Sequence, residues 1–131
     1  MSRLLQRIEN YNKAFILYSS MHCAYSKLNN DMSKLALIQS YEVVIELGWK
    51  ILKDYLSDNG IKVSTPIDTI KEAYSFETGI NGQVWIDMIK DRNISSHEYN
   101  IDKVDIIVEK INTIYYEELM NFKNLLEKIN G

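Results

Sequence analysis

Leu4, Ile8, Tyr11, Phe15, Tyr18, His22 and Tyr25 recur at alternating steps of four and three. That spacing averages close to one helical turn, so these side chains share one face of a helix spanning about 3 to 28, and other helices must cover that face. The pattern returns from about 33 to 58. There Leu37, Tyr41, Val44, Gly48, Ile51 and Tyr55 form a stripe, widened by Ile38, Ile45, Trp49, Leu52 and Leu56. With one proline in 131 residues and no run of polar–apolar alternation, the chain offers few breaks and no strand.

The breaks that exist are chemically marked. LNNDMS separates the first two helices and supplies Asn30, Asp31 and Ser33 as cap candidates. DNG at 58–60 ends the second, with Gly60 suited to a left-handed cap. Thr65-Pro66 opens a short third helix running to about Phe76, with threonine as N-cap and proline at the first helical position. After TGING, a fourth helix begins near Asn81, carries Val84, Trp85, Met88 and Ile89, and ends around Ser95 or Ser96. The last runs from about Ile101 to 129 with Ile107, Ile111, Ile114, Leu119, Phe122, Leu126 and Ile129 as its core face. The expected fold is all-α: an antiparallel four-helix bundle with one additional short helix, forming a single domain over 1–131.

At this length a domain buries roughly two-thirds of its unfolded surface, enough for a real core. The net charge of −3 argues against a general polyanion binder, so any RNA contact must be confined to a cleft. A single cysteine, Cys23, excludes an internal disulfide framework and fits a reducing cytoplasm. No signal-peptide h-region and no membrane-length apolar run is seen.

The segment DRNISSHEY, residues 91–99, departs from bundle chemistry. Arg92 falls four beyond Met88 and seven beyond Trp85, on the apolar stripe, with Lys90 and Asp91 assigned to the outer face. In one straight helix Arg92 and His97 stand about 140° apart. They can share a cleft if the helix ends near Ser95 or if a second copy of the chain completes the site. The plain reading is an arginine tied to a carboxylate and a histidine closing a helix C-terminus. The chemical reading is metal-independent acid–base work on a phosphodiester. A neutral imidazole takes a proton from a ribose 2′-hydroxyl, and a guanidinium holds the phosphate. No His/Cys/Asp cluster has metal-ligand spacing, so neither a metal nor another cofactor is expected.

Arg92-Asn93-Ile94-Ser95-Ser96-His97-Glu98-Tyr99 resembles the R-x4-H-x-Y signature of HEPN domains. VWIDMIKDRNISSHEYN, SYEVVIELGWKILKDYLSDNG and TPIDTIKEAYSFETGI are similar, in order, to stretches of the subfamily called nucleotidyltransferase substrate-binding proteins. The resemblance covers roughly residues 37–100, with Glu42, Glu46, Trp49 and Lys50 at matching positions. It implies a HEPN-like bundle that pairs as a homodimer, and a minimal nucleotidyltransferase (MNT) as partner in a toxin–antitoxin-like module. RNA or a nucleotide, rather than DNA, would occupy the cleft. By transfer, Arg92 and His97 would be catalytic in an endoribonuclease, Asn93 and Ser96 would support them, and Tyr99 would accept AMP. Ser40 stands where the resemblance leads one to expect a basic residue, which weakens a phosphate-binding role for this helix.

Two alternatives stay open: a non-catalytic subunit holding nucleotide or substrate for the partner enzyme, and a purely structural helical dimer. Glu42, Glu46 and Lys50 read either as a helix edge with one Glu-to-Lys pair or as carboxylates that orient Arg92, whose loss would harm folding as well as activity. His22 and Tyr11, Tyr18, Tyr25, Tyr41 and Tyr55 fall on helical stripes and read as core or interface. Cys23 lacks a basic cluster to activate it.

Overall fold

The structure, a computed structural model, describes the backbone of residues 3–97 and 101–130 and the side chains of residues 3–93 and 104–128. The helices are α1 (Arg3–Leu28), α2 (Asp31–Asp58), α3 (Pro66–Ser75), α4 (Gly82–His97), α5 (Ile101–Asn112) and α6 (Ile114–Asn130). Among the described residues there is no strand. The central helix, α2, packs against α1, α3, α4 and α5, while α6 closes the bundle against α1 and α4.

Capping chemistry fixes the ends. Asn30 Oδ1 accepts from the Ser33 amide at 2.8 Å, and Ser33 Oγ accepts from the Asn30 amide at 3.1 Å, so two orphan donors are satisfied reciprocally. At the other end of α2 the Gly60 amide donates to Ser57 O and the Ile61 amide to Leu56 O. This Schellman pair places Gly60 at φ 82°, where a Cβ would be strained. Thr65 and Pro66 open α3 as expected, with Thr65 Oγ1 accepting from the Asp68 amide at 3.2 Å.

The stripes converge on a core centred on Trp85, Tyr11, Tyr18, Tyr41, Tyr115 and Phe122, all buried. Buried tyrosines must place their hydroxyls. Tyr11 donates to Leu119 O at 2.9 Å, Tyr41 to Met88 O at 2.8 Å, and Tyr18 to Ile111 O. Burial pushes the Tyr11, Tyr41 and Tyr18 phenols well above their ordinary range, so they remain neutral donors. Helix α2 meets α4 at Gly48, where a Cβ would lie 2.7 Å from the Trp85 ring.

One difference lies in the last helix, which Thr113 divides. Its amide turns back to Lys110 O at 3.2 Å, and its hydroxyl donates to Glu109 O at 2.8 Å, a back-bond that bends helices. Side chains of α1 occupy carbonyls beside the break. His22 Nε2 donates to Asn112 O at 2.8 Å and its ring stacks on Tyr116 at 3.9 Å. The interruption shifts the phase of the core face. Ile114, expected inside, is 52% exposed, and Tyr115 takes the buried place. Ile129 lies outside the described side chains.

Candidate functional site at the Arg92 groove

Side chains at 39, 42, 43, 46 and 47 occupy successive turns on one side of α2, and α4 runs past that side. Together Gln39, Glu42, Val43, Glu46, Leu47 and Arg92 line an open groove of ≈ 500 Å³. The sequence reading had Glu42, Glu46 and Arg92 but missed Gln39, Val43 and Leu47. Their i, i+4 relation to one another was the available signal.

Arg92 is half-buried, as its place on the α4 stripe requires, and Nη2 lies 3.5 Å from Glu46 Oε2. Glu46 is a junction. Oε1 meets Lys50 Nζ at 3.2 Å, and Oε2 accepts from the Trp49 indole N–H at 3.2 Å. Burial raises the Glu46 carboxyl, but the hydrogen bonds from Lys50 and Trp49 and the charges of Lys50 and Arg92 outweigh it, and the net direction is down. This carboxylate makes the i, i+4 pair with Lys50 and also contacts Arg92. The side chains are about one-third exposed, 32% for Arg92 and 36% for Glu46. Water therefore screens the pair, and its loss weighs far less on folding than a fully buried pair's would.

Asp91 corrects the sequence reading. It was assigned to the outer face, yet its side chain is only 13% exposed. Tyr115 Oη donates to Asp91 Oδ2, and Lys110 Nζ lies 3.4 Å from the same oxygen. Burial and then the bond to Asp91 push the Tyr115 phenol up, so it stays a donor. The Tyr115 ring stacks on Tyr41 at 5.8 Å, and Tyr41 holds Met88 O one turn before Arg92. The turn of α4 leading into Arg92 is thus held by two tyrosines, one at the Met88 carbonyl and one at the Asp91 carboxylate.

Asn93 is exposed beside Arg92. Helix α4 runs on through Ser96 to His97, just past the expected end around Ser95 or Ser96. The positions of Arg92 and His97 therefore stand about 140° apart around one axis, and the first route to a shared cleft within one chain is not taken. The side chains of Ser96 and His97 lie outside the described residues, as does Tyr99 altogether. Ser40 is buried with Oγ donating to Leu37 O at 3.0 Å, turned to the core and away from the groove. Cys23 is exposed. Among the described residues no group of three or more His, Cys, Asp and Glu could hold a metal ion, and no helix is long and apolar enough to cross a membrane.

Comparison with known proteins bears on the family and the fold. The family described as "Nucleotidyltransferase substrate binding protein like" matches residues 6–128. Among solved structures, a tri-AMPylated Shewanella oneidensis HEPN toxin in complex with an MNT antitoxin superposes with a TM-score of 0.79. The similarity covers 98% of this chain and 99% of that one at 14% identity, a likeness of fold. A search of curated proteins finds no match.

Proposed function

The chain belongs to the nucleotidyltransferase substrate binding protein like family, with a HEPN-type fold, and from that premise we propose that it forms a two-component, toxin–antitoxin-like cytoplasmic pair with a minimal nucleotidyltransferase and cleaves RNA without a metal. The observation that carries this reading is Arg92 itself, half-buried and held by Glu46 in an open groove. A guanidinium with five N–H donors in a rigid fork suits the non-bridging oxygens of a phosphodiester. In the proposed step the His97 imidazole takes the proton of a ribose 2′-hydroxyl. The 2′-oxygen attacks the adjacent phosphorus, the bond to the 5′-oxygen breaks, and that oxygen is protonated as it leaves. The products are a 2′,3′-cyclic phosphate and a 5′-hydroxyl end, and Arg92 offsets the charge gathering on the phosphorane oxygens.

Two copies complete the cleft in this reading. Helix α2 presents Met32, Leu35 and Val43 at 81%, 60% and 52% exposure on the side where the groove opens, an apolar stripe suited to a homodimer. Asn93 and Ser96 support the cleft, and Tyr99 is the proposed acceptor of AMP from the partner enzyme, its phenolic oxygen attacking the α-phosphorus of ATP with release of pyrophosphate. The structural neighbour, itself tri-AMPylated, motivates that assignment.

RNA incubated with the purified protein in EDTA tests the reading. Cleavage that survives chelation and is lost in both Arg92→Ala and His97→Ala is expected. No cleavage by the wild type, with a nucleotide bound in an Arg92-dependent way, would replace it with the second reading, a substrate-binding subunit. The family's description and the α4 continuity between Arg92 and His97 favour that alternative.

A further inference from the structure

A second groove, of ≈ 510 Å³, adjoins the Arg92 site. Five cations line it: Arg3 and Arg7 of α1, Lys50 and Lys53 of α2, and Lys62 of the loop beyond. A chain of net charge −3 thus places five of its 15 basic residues on one concave surface, beside a single lining carboxylate, Asp54. Asp54 anchors the α1 arginines, pairing with Arg7 and lying 3.8 Å from Arg3. Lys53 lies over the Trp49 ring, 5.8 Å from its centre. Among the described residues no ion pair engages Lys53 or Lys62.

The two grooves share a wall. Trp49 and Lys50 line the basic one, and both bond to Glu46, which lines the other and contacts Arg92. The cations are spread over three elements, α1, α2 and the loop after α2. Lys50 and Lys53 follow one another along α2, about 4.5 Å apart at its helical rise, with Arg3 and Arg7 on α1 and Lys62 on the loop past the helix end. Point charges spread in this way fit a repeating polyanion better than one phosphate or a nucleoside triphosphate, which needs converging donors. Trp49 is only 9% exposed, so no ring is offered for base stacking and contact is confined to the backbone.

We propose that this groove binds the phosphodiester backbone of single-stranded RNA and feeds it across the Glu46 wall to Arg92. The inference rests on the ribonuclease reading for its direction, but the binding can be measured by itself. The probe is a fluorescein-labelled oligouridine, titrated by anisotropy over a range of salt against the full chain carrying His97→Ala, so that no strand is consumed. Lys53→Gln/Lys62→Gln and Lys53→Glu/Lys62→Glu are compared with that parent, with circular dichroism confirming the fold.

The glutamine pair is expected to weaken binding several-fold and to flatten log K against log salt by about 0.7 per lost phosphate contact. The glutamate pair should weaken it by at least about tenfold. With His97 restored, KM for RNA should rise and kcat hold. Unchanged affinity and slope in a folded glutamine variant overturns the proposal. So does RNA binding that is kept while capture of the nucleotidyltransferase is lost, which would make the groove a protein dock. If the lysine variants lose RNA while the wild type never cleaves it, the groove stands and the ribonuclease reading falls. If the wild type cleaves and the variants bind undiminished, the reverse holds.

Discussion

Glu46 does three jobs with two oxygens, and its substitution separates orientation from stability. In Glu46→Gln the Arg92 contact loses its charge and the Lys50 pair weakens. Because the groups are about one-third exposed, unfolding free energy should fall by no more than about 1 kcal/mol. RNA cleavage should fall roughly ten- to a hundredfold, since a guanidinium displaced by a fraction of an ångström no longer meets the phosphate. Urea melts beside initial rates check both halves. The carboxyl is held below its ordinary value of 4.5, so whatever it adds to stability is complete above that pH and is lost as pH falls through the lowered value. The melting difference between wild type and Glu46→Gln should therefore persist in mildly acidic buffer and close only as pH is taken below 4.5. Tyr115→Phe is the opposite kind of change. It leaves the groove intact but removes a donor from the well-buried Asp91, and a hydrogen bond to a charged group contributes about 1.5–3 kcal/mol. Urea denaturation should show a loss of that size; a loss below about half a kcal/mol would mean that Lys110 alone suffices for Asp91.

At the scale of helices, Gly48 sets a tight constraint where α2 crosses α4. Gly48→Ala would place a methyl 2.7 Å from a Trp85 ring that is buried, bonded to Glu118 at 3.1 Å and packed on Phe122, so the ring cannot swing away. Overpacking of this kind costs about 1–3 kcal/mol, against about 1 kcal/mol gained from alanine's helix propensity. A lower melting temperature is expected, with Arg92 chemistry disturbed because α4 carries it. A variant as stable as the wild type would show the crossing to be looser than it stands. This crossing was half visible in the sequence. Periodicity placed Gly48 and Trp85 on core stripes, but no one-dimensional pattern says which residues of two stripes meet. Helix ends were legible wherever a cap had a side-chain signature, as at Asn30, Gly60 and Thr65. The division at Thr113 was not, because its local back-bond looks like any threonine in a helix, and what fills it, His22 and Tyr18, comes from far along the chain. The same limit hid Asp91, whose partners Tyr115 and Lys110 belong to other elements.

For the whole molecule, the proposed function puts the two grooves and the exposed apolar side chains of α2 on one working face. Arg92 and Glu46 followed from local spacing, and the basic groove did not, because its members sit at 3, 7, 50, 53 and 62 and gather only on folding. The continuity of α4 sets the position of His97 about 140° from Arg92 around the helix, and the proposed reading therefore has a cleft holding both draw on two copies. Two inactive proteins then become informative together. Mixing Arg92→Ala with His97→Ala, after brief unfolding and refolding to exchange subunits, should form hybrid dimers that retain one intact arginine and one intact histidine in the shared cleft. Some cleavage should return in the mixture although neither parent has any. Val43→Glu places a charge in the proposed interface, on a side chain 52% exposed in the single chain. It should leave the fold unharmed, shift the sedimentation coefficient to that of a monomer and abolish rescue. Rescue that persists in a monomeric Val43→Glu mixture would be incompatible with a cleft shared between copies, and so would a wild type that cleaves RNA while sedimenting as a monomer. Either outcome would require Arg92 and His97 to act within one chain, with α4 unwinding before His97 to bring them together.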